Sequence, residues 1–268
     1  MEPQAYKNWI AGVFDRSAES YGSKHSNFFT YFAKNLVKLA ALPKSASVLD
    51  VATGRGAILK HAAEAVGSQG KVIGIDISPN MITQTSKDLK DYPNITLLCA
   101  DAENLEFTEN SFDYVFCGFG VFFFPNVSRA LQEFFRVLKP GGKLLISTWG
   151  KDDYCDEIFQ DCYNHIEDDT KTLLHHFENP EFIFNILSKS GFTEIETVPD
   201  ELDYVYPTID DWFSSLWSHA RRAKLEKLPP TQLTKLKEQL NIKLGPHVKS
   251  DGLHELLHAY YTHASKPV

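Results

Sequence analysis

The middle of the chain alternates between short apolar runs and amphipathic helical segments, and this alternation restricts the fold more than any other feature. Runs rich in β-branched and aromatic residues are typical of strands, and apolar residues spaced three and four apart are typical of helices. Strand candidates cover residues 47–51, 71–76, 95–100, 112–117 and 142–148, and helical segments between them cover 58–66, 79–90 and 128–138. Repeated strand–helix units predict a mostly parallel sheet with helices on both faces.

The flanks of this core add helices and two late strands. Helices are predicted at 4–42, 153–176, 179–192 and 208–248, and strands at 193–207 and 252–267. We therefore expect one domain over residues 1–268. Its parts are a helical cap at 1–43, a cofactor-binding core at 44–150, and a C-terminal half at 151–268 that carries the helical insertion.

The composition favours a globular protein in a reducing compartment. Hydrophobic residues make up 43% of the 268 positions, which is enough for a substantial core. The net charge of -8 argues against a nucleic-acid partner, because affinity for phosphates comes mainly from clustered Lys and Arg. The four cysteines show no C-x-x-C spacing, and no apolar stretch approaches the roughly 18 to 20 residues that cross a bilayer. We expect a cytoplasmic protein without a membrane span, and its oligomeric state stays open.

Small and acidic residues follow the first two strand candidates. In "VLDVATGRG", residues 48–56, Asp50 precedes a turn with Gly54 and Gly56, whose missing side chains let the backbone approach a ligand. Asp76 ends the second strand, 20 residues after Gly56, where it is placed to bind both hydroxyls of a ribose. Ligands of parallel sheets bind at the carboxyl ends of the strands. A glycine loop followed by an acid fits NAD as well as S-adenosylmethionine.

The residues after the third strand separate these two cofactors. The Asp101 carboxylate and the Ala102 backbone N–H are placed to bind the amino group and a ring nitrogen of adenine. An NAD loop would have a small residue at position 59, where this chain has Leu59, and no G-x-x-x-x-G-K-[ST] run for nucleoside triphosphates is present. Asp50 suits a cationic ammonium better than a pyrophosphate. The sequence therefore favours an amino-acid nucleoside as the ligand.

Five stretches together resemble the class I S-adenosylmethionine-dependent methyltransferases, most closely the ubiquinone and menaquinone C-methyltransferases and many natural-product methyltransferases. They are "VLDVATGRG", "VIGIDISPNMI", "LLCADAENLEF", "SFDYVFCGFGVFFF" and "ALQEFFRVLKPGGKLLISTW", in the family's order and spacing. The resemblance implies S-adenosyl-L-methionine as cofactor and a Rossmann-like α/β fold. Its seven-stranded sheet would have the order 3-2-1-4-5-7-6 with strand 7 antiparallel, and a helical lid would be inserted between strands 6 and 7.

The resemblance also implies roles for individual residues of this chain. Gly54 and Gly56 would flank the methionine moiety, with Asp50 at its amino group, Ala52 and Thr53 in the same loop and Tyr21 above it. Asp76 would bind the ribose, Ile77 and Met81 would pack near the adenine, and Asp101 and Ala102 would bind the adenine edge. Cys117, Gly118 and Phe119 would lie under the sulfonium. Ala52 stands where glycine is commoner in the family, a change that quinone-type members also tolerate.

The acceptor is expected to be a small, largely apolar or aromatic molecule. The run "GFGVFFFPN" follows the fourth strand and offers Phe122 and Phe123 as an aromatic wall, although an ordinary buried core is the alternative. Trp212, Leu216 and His219 recur at helical spacing on the insertion, which would turn them toward one pocket.

Two histidines are candidate bases for removing a proton from the acceptor. His219 lies on the insertion and His25 lies close to Tyr21 in the sequence. Histidine suits this role because its ordinary pKa is near neutrality. For both residues a structural or exposed histidine is the alternative interpretation.

No metal site is expected. "HELLH" at 254–258 matches the H-E-x-x-H zinc pattern, but "AYYTHA" after it prefers a strand, and position 264 is alanine where a metzincin would have histidine. His165, His175 and His176 surround the acidic stretch "HIEDDTKTLLHH", where exposed helix residues are the simpler interpretation.

The expected reaction is an in-line transfer of the sulfonium methyl group to an oxygen, carbon or nitrogen of the acceptor. The protein would mainly align the two groups and exclude water. Three alternatives stay open: a methyltransferase-fold protein that catalyses a cyclisation, a non-catalytic partner subunit that binds the cofactor, and a nicotinamide dehydrogenase.

Overall fold

A twisted sheet with antiparallel strands at one edge forms the centre of the protein. The computed structural model describes residues 1–22, 27–151, 153–163 and 173–268, with side chains in the last range from residue 176 onward. The strands are β1 (Ser47–Val51), β2 (Lys71–Asp76), β3 (Ile95–Cys99), β4 (Phe112–Gly118), β5 (Leu138–Trp149), β6 (Thr193–Tyr206), β7 (Val248–Lys249) and β8 (Gly252–Ser265). Their order is β3-β2-β1-β4-β5-β8-β6, with β7 paired to β8.

This order confirms the predicted topology. Strands β1 to β5 pair in parallel, and β8 pairs antiparallel with both β5 and β6. The predicted seventh strand is therefore β8, and the two-residue β7 is an addition that the sequence pattern did not indicate. In the central strand β1, Val48, Leu49 and Val51 are fully buried, as expected of a parallel strand covered on both faces.

The helices surround the sheet. They are α1 (Pro3–Ser17), α2 (Phe28–Ala40), α3 (Ala57–Val66), α4 (Pro79–Asp88), α5 (Val127–Val137), α6 (Tyr154–Tyr163), α7 (Pro180–Lys189), α8 (Ile209–Ser215), α9 (Arg222–Leu225) and α10 (Pro230–Leu244). Side-chain caps begin several of them: the Ser78 hydroxyl accepts the Met81 N–H, and the Asn126 amide oxygen accepts the Arg129 N–H. Within the described ranges, no helix has the length and apolar character needed to cross a bilayer.

The insertion at 208–248 is helical as predicted, but its first part is not one continuous helix. Helix α8 ends at Ser215, a 3-10 turn follows at 216–218, and His219 has an extended backbone with φ -143° and ψ -165°. Trp212, Leu216 and His219 therefore do not share one helical face, and that interpretation was wrong. The insertion packs on α6 around a second hydrophobic cluster that includes Phe159 and Trp212.

Candidate functional site

The described part of the chain encloses two neighbouring cavities at the carboxyl ends of the central strands. The smaller, which we call the strand-end cavity, has a volume of about 70 Å³ and is lined by residues that follow β1, β2, β3 and β4 and by one face of α1. The larger, the aromatic cavity, has a volume of about 590 Å³ and lies between α1, α2, the end of β5 and the insertion. Parallel sheets bind ligands at this edge, so both cavities belong to the candidate site.

Asp76 accepts hydrogen bonds from the loops that follow β1 and β2 at the strand-end cavity. Its Oδ2 accepts the Gly54 N–H at 2.8 Å, and its Oδ1 accepts the Ser78 N–H at 2.9 Å. Each carboxylate oxygen carries a second lone pair, so both can still accept a ligand hydroxyl. Burial raises the pKa of Asp76 to about 6, although the two backbone N–H groups favour its charged form.

Asp50 lies beneath the same loop with one oxygen unsatisfied. The carboxyl group is 1% exposed, and its Oδ2 accepts the Thr53 hydroxyl at 2.5 Å. Its Oδ1 is buried and has no hydrogen-bond partner among the described residues. Burial raises the pKa of Asp50 to about 7, and the nearby negative charge of Asp76 adds to the rise. An unsatisfied buried acceptor is costly, so this oxygen is suited to a donor brought by a ligand.

Asp101 is held by a lysine that sequence analysis missed. Lys7 Nζ lies 2.7 Å from Asp101 Oδ2 and 2.6 Å from Glu103 Oε2. Lys7, Ile10 and Phe14 all line the strand-end cavity, and their three- and four-residue spacing puts them on one face of α1. That spacing is visible in the sequence, but it does not reveal which surface the helix covers.

The structure brings together ten of the fourteen residues assigned to the cofactor. Those that line the strand-end cavity are Tyr21, Ala52, Gly54, Asp76, Ile77, Met81, Asp101, Ala102, Gly118 and Phe119. The remaining four, Asp50, Thr53, Gly56 and Cys117, are not among the residues that line this cavity.

These four residues contact the segments from which the cavity is built. Thr53 holds Asp50, as described above. Gly56 precedes α3 with φ +75°, and a Cβ there would lie 2.7 Å from a methyl carbon of Leu89, so it permits close packing against the end of α4. Cys117 is fully buried, and a Cβ on Gly120 would lie 3.1 Å from its sulfur.

The aromatic cavity has an apolar wall and a polar end. Its aromatic wall is formed by Phe28, Phe29, Phe119, Phe122 and Trp149, and its polar end by Asp153, Asp156, Arg221, Glu255 and His258. Arg221 pairs with Asp156, and the buried Glu255 accepts hydrogen bonds from Tyr206 at 2.9 Å and from Trp212 at 3.1 Å. A flat apolar molecule with polar substituents at one end matches this division.

Most of the residues assigned to the acceptor reach this cavity. Phe122, Phe123, Leu216 and His219 line it. Trp212 does not, because its ring is fully buried in the second hydrophobic cluster and its Nε1–H donates to Glu255. His25 lies outside the described residues, as do His165 and the side chain of His175.

His219 is neutral in this environment. Burial lowers the pKa of His219 to about 4, so the imidazole carries no charge near neutral pH. Its Nδ1 accepts the Arg221 backbone N–H at 3.5 Å. The ring therefore offers hydrogen bonding to a ligand in the aromatic cavity without a positive charge.

Three side chains at the polar end lie close enough to share a metal ion, but each of the two carboxylates already accepts two hydrogen bonds. Ligand atoms of Asp153, Cys155 and Glu255 lie within 4.8 Å of one another. Asp153 accepts the backbone N–H groups of Cys155 at 2.6 Å and Leu256 at 2.7 Å. Burial raises the pKa of the Cys155 thiol, which disfavours the thiolate that a metal requires. His254 and Glu255 of "HELLH" lie on strand β8, as predicted, and not on a helix.

Comparison with known proteins agrees with this geometry. The model of the methyltransferase domain family matches residues 49–146. The aklanonic acid methyltransferase DauC of a Streptomyces species is 37% identical over 150 residues, which cover 55% of this chain and 68% of that protein. The demethylmenaquinone methyltransferase of Staphylococcus epidermidis is 36% identical over 149 residues, which cover 54% of this chain and 61% of that protein.

The solved structures support the same fold. A phosphoethanolamine N-methyltransferase of Haemonchus contortus, in complex with phosphomonomethylethanolamine and S-adenosylhomocysteine, superposes with a TM-score of 0.57 at 21% identity. The match covers 95% of this chain and 60% of that one. At this identity the likeness shows the fold alone. Together with the family model and the curated relatives, it shows that the chain belongs to the S-adenosylmethionine-dependent methyltransferases.

Proposed function

We propose that this methyltransferase transfers the methyl group to a small aromatic acceptor held in the aromatic cavity. The observation that carries this proposal is the contact between the two cavities, which share Phe14, Tyr21, Phe119 and Phe123 as lining residues. A ligand in the strand-end cavity and a ligand in the aromatic cavity therefore meet at these rings. Direct transfer requires such a meeting, because the nucleophile must approach the methyl carbon within a few ångströms.

The described residues fit S-adenosylmethionine group by group. The unsatisfied Oδ1 of Asp50 suits the ammonium of the methionine moiety, since a buried charge needs a partner. Asp76 has free lone pairs for the ribose hydroxyls, and Asp101 and Ala102, which line the same cavity, would bind the adenine edge. When bound, the cofactor supplies an electrophilic methyl group next to a sulfonium.

The chain's own contribution is alignment, exclusion of water and hydrogen bonding to the acceptor. The aromatic wall would hold a flat ring by stacking, and Phe119 and Trp149 already stack with their centroids 4.1 Å apart. The neutral His219 accepts the Arg221 N–H at Nδ1, so its proton is on Nε2, which is placed to donate a hydrogen bond to an oxygen of the acceptor.

The acceptor class follows from the cavity and agrees with the relatives. Two relatives act, by their names, on aklanonic acid and on demethylmenaquinone. The volume of about 590 Å³ is within the ordinary range for small-molecule sites. We therefore favour a multi-ring aromatic or a quinone-like acceptor whose polar substituents point toward Arg221 and Glu255.

The test is a transfer assay with S-adenosylmethionine labelled in its methyl group. A panel of hydroquinones, polycyclic phenols and simple amines is offered to the wild-type protein, and the label is followed by mass spectrometry. Label in a ring-bearing acceptor supports the proposal. Label only in the non-aromatic amines, or product formed without label, contradicts it; the latter outcome would identify a non-methylating reaction.

Replacing His219 with alanine is expected to lower kcat about 10- to 100-fold, because the hydrogen bond that orients the acceptor is lost and a misplacement of about 1 Å can cost about 100-fold. Cofactor affinity should stay unchanged, because His219 lines only the aromatic cavity. Steady-state kinetics on the best acceptor measure the effect, and His61→Ala on α3 serves as a control outside both cavities. Unchanged turnover in His219→Ala would remove this residue from the mechanism.

A further inference from the structure

Three acids share one arginine at the polar end of the aromatic cavity. Arg221 pairs with Asp156, and a carboxylate oxygen of Asp153 lies within 4.8 Å of one of Glu255. Burial raises the pKa of Asp153 and of Glu255, and the charge of Arg221 opposes the rise in both, so its guanidinium lies near all three acids. His258 acts on Asp153 in the same direction but contributes less than Arg221. Negative charge therefore exceeds positive charge at this end.

The carboxylate of Glu255 lies at the wall of this cavity and can accept further hydrogen bonds. The residue is 5% exposed; its Oε2 accepts the Tyr206 hydroxyl at 2.9 Å, and its Oε1 accepts the Trp212 Nε1–H at 3.1 Å. Tyr206, Asp153 and Arg221, which surround this carboxylate, all line the same cavity. Each oxygen has a second lone pair, so a ligand that brings a donor finds an acceptor here.

The lining of the aromatic cavity as a whole is negative too. Its charged side chains in the described part of the chain are four acids and three cations, a net charge of -1 with the histidines neutral; they are Asp153, Asp156, Glu178, Glu255, Lys151, Arg221 and Lys224. Lys224 donates to Gln160 Oε1 at 3.3 Å and lies 5.5 Å from the centre of the Tyr163 ring, and Lys151 is exposed. A carboxylate on an acceptor would meet more negative than positive charge.

The chemistry of the polar end distinguishes between substituents of the acceptor. A hydrogen bond to an ionised acceptor is stronger than one between neutral groups, and a like-charge contact in a desolvated site disfavours the wrong ligand. Asp153, Asp156, Arg221, Glu255 and His258 line only the aromatic cavity, whereas transfer takes place where the two cavities meet. The polar end therefore contacts a part of the acceptor that is remote from the methylated atom.

We propose that the polar end of the aromatic cavity selects acceptors that carry a hydrogen-bond donor, a hydroxyl or a protonated amine, and discriminates against acceptors that carry a carboxylate there. The proposal rests on the function proposed above and specifies its acceptor. Glu255 is the specificity-determining residue, because its oxygens accept the hydrogen bond from the donor. Arg221 does not attract a carboxylate, because Asp156 already pairs with it.

The test uses three naphthols that carry a hydroxymethyl, an aminomethyl or a carboxylate group at the same position of the second ring. The measurement is kcat/KM for each donor-bearing naphthol divided by kcat/KM for the carboxylate. We expect this ratio to be about 10 to 100 in the wild type, because a hydrogen bond to a charged group and a like-charge contact each change binding by about this factor. Equal values for all three compounds, or a preference for the carboxylate, would overturn the proposal.

Binding of the same compounds is measured without catalysis. Each naphthol is titrated calorimetrically into the complex of the protein with S-adenosylhomocysteine, and the same order of affinities is expected. A tighter hydroxymethyl than aminomethyl compound identifies the neutral hydroxyl as the preferred donor, and the reverse order identifies the ammonium; either result supports the proposal. Equal affinities of the three compounds would contradict it even if none of them is methylated.

Two variants test the origin of the preference. Glu255→Gln removes the charge and Asp156→Asn frees Arg221 for a carboxylate, so each should lower the ratio about tenfold. Asp210→Asn is the matched control, because Asp210 pairs with Lys237 at 3.0 Å outside both cavities, and its ratio should stay within about twofold of wild type. A ratio within one protein does not depend on the folded fraction, and if Glu255→Gln does not fold, Asp156→Asn decides. An unchanged ratio in the variants would overturn the proposal.

Failure of this proposal and failure of the proposed function give different results. Label transferred to ring-bearing acceptors without regard to the substituent would overturn the selectivity of the polar end and leave the proposed function intact. Absence of label from every ring-bearing acceptor of the wider panel would overturn the proposed function.

Discussion

Replacing Asp50 with asparagine is expected to weaken S-adenosylmethionine binding about 100-fold, or about 2.7 kcal/mol. The carboxylate is buried, and its Oδ1 has no partner among the described residues, so we expect it to bind the ligand ammonium. Asparagine keeps an acceptor for the Thr53 hydroxyl but removes the charge and introduces N–H groups. Removing one partner of a buried ion pair typically costs several kcal/mol, and the retained polar group reduces that loss.

Calorimetric titration at pH 7.5 measures this effect. The matched control is Asp113→Asn at the beginning of β4, where the carboxylate binds Lys139 and Ser47 at the opposite end of the strand. That variant removes the same charge without touching either cavity, so its cofactor affinity should stay within about twofold of wild type, since surface ion pairs contribute little. Equal affinities of Asp50→Asn and wild type would show that Asp50 does not bind the ammonium.

The sheet and much of the cofactor-binding loop could be predicted because short-range patterns determine them. The alternation of strands and helices fixes a parallel sheet, and the carboxyl ends of its strands converge whatever the surrounding residues are. Asp76 ends a strand candidate, and Gly54 and Asp101 follow one within three residues, so their convergence on one cavity follows from the topology alone.

The residues that long-range packing brings to the site could not be predicted in the same way. Lys7 reaches Asp101 only because α1 lies across the strand ends, where Asp15 accepts the Ser78 hydroxyl at 2.5 Å. In the sequence, Glu255 matches the glutamate of the zinc pattern. In the structure it accepts hydrogen bonds from Tyr206 on β6 and from Trp212 on α8. Neither contact leaves a periodic signal in the sequence.

The break in the insertion has a tertiary cause that helix propensities do not report. Residues 219–227 contain several good helix formers, yet the chain turns at His219 because Arg222 donates to the Trp217 carbonyl and to the Arg16 carbonyl of α1. Glu226 accepts hydrogen bonds from both Arg16 and Arg222, which fixes the short α9 against α1. Tertiary contacts of this kind routinely override helix propensity.

In the absence of ligand, the wild-type protein is expected to lose stability relative to Asp50→Asn as the pH rises from about 4 to about 7. The pKa of Asp50 is about 7 in the folded protein and 3.8 as its ordinary value. Because the folded pKa is raised, the unfolded chain releases its proton first, and the folded state loses stability between these two values and no further above them. The full loss is about 4 kcal/mol.

Urea unfolding of both proteins at pH 4.5, 6 and 7.5 measures this difference. The comparison with Asp50→Asn isolates the titration of Asp50, because carboxyl groups with lowered pKa, such as Glu133 and Glu226, titrate in both proteins alike. The two stabilities should be nearly equal at pH 4.5 and diverge in favour of the variant at pH 7.5. A constant difference at every pH would show that Asp50 titrates normally. With saturating S-adenosylmethionine at pH 7.5, the wild type should instead become more stable than Asp50→Asn. That result would show that the Asp50 charge, which destabilises the free protein, binds the cofactor.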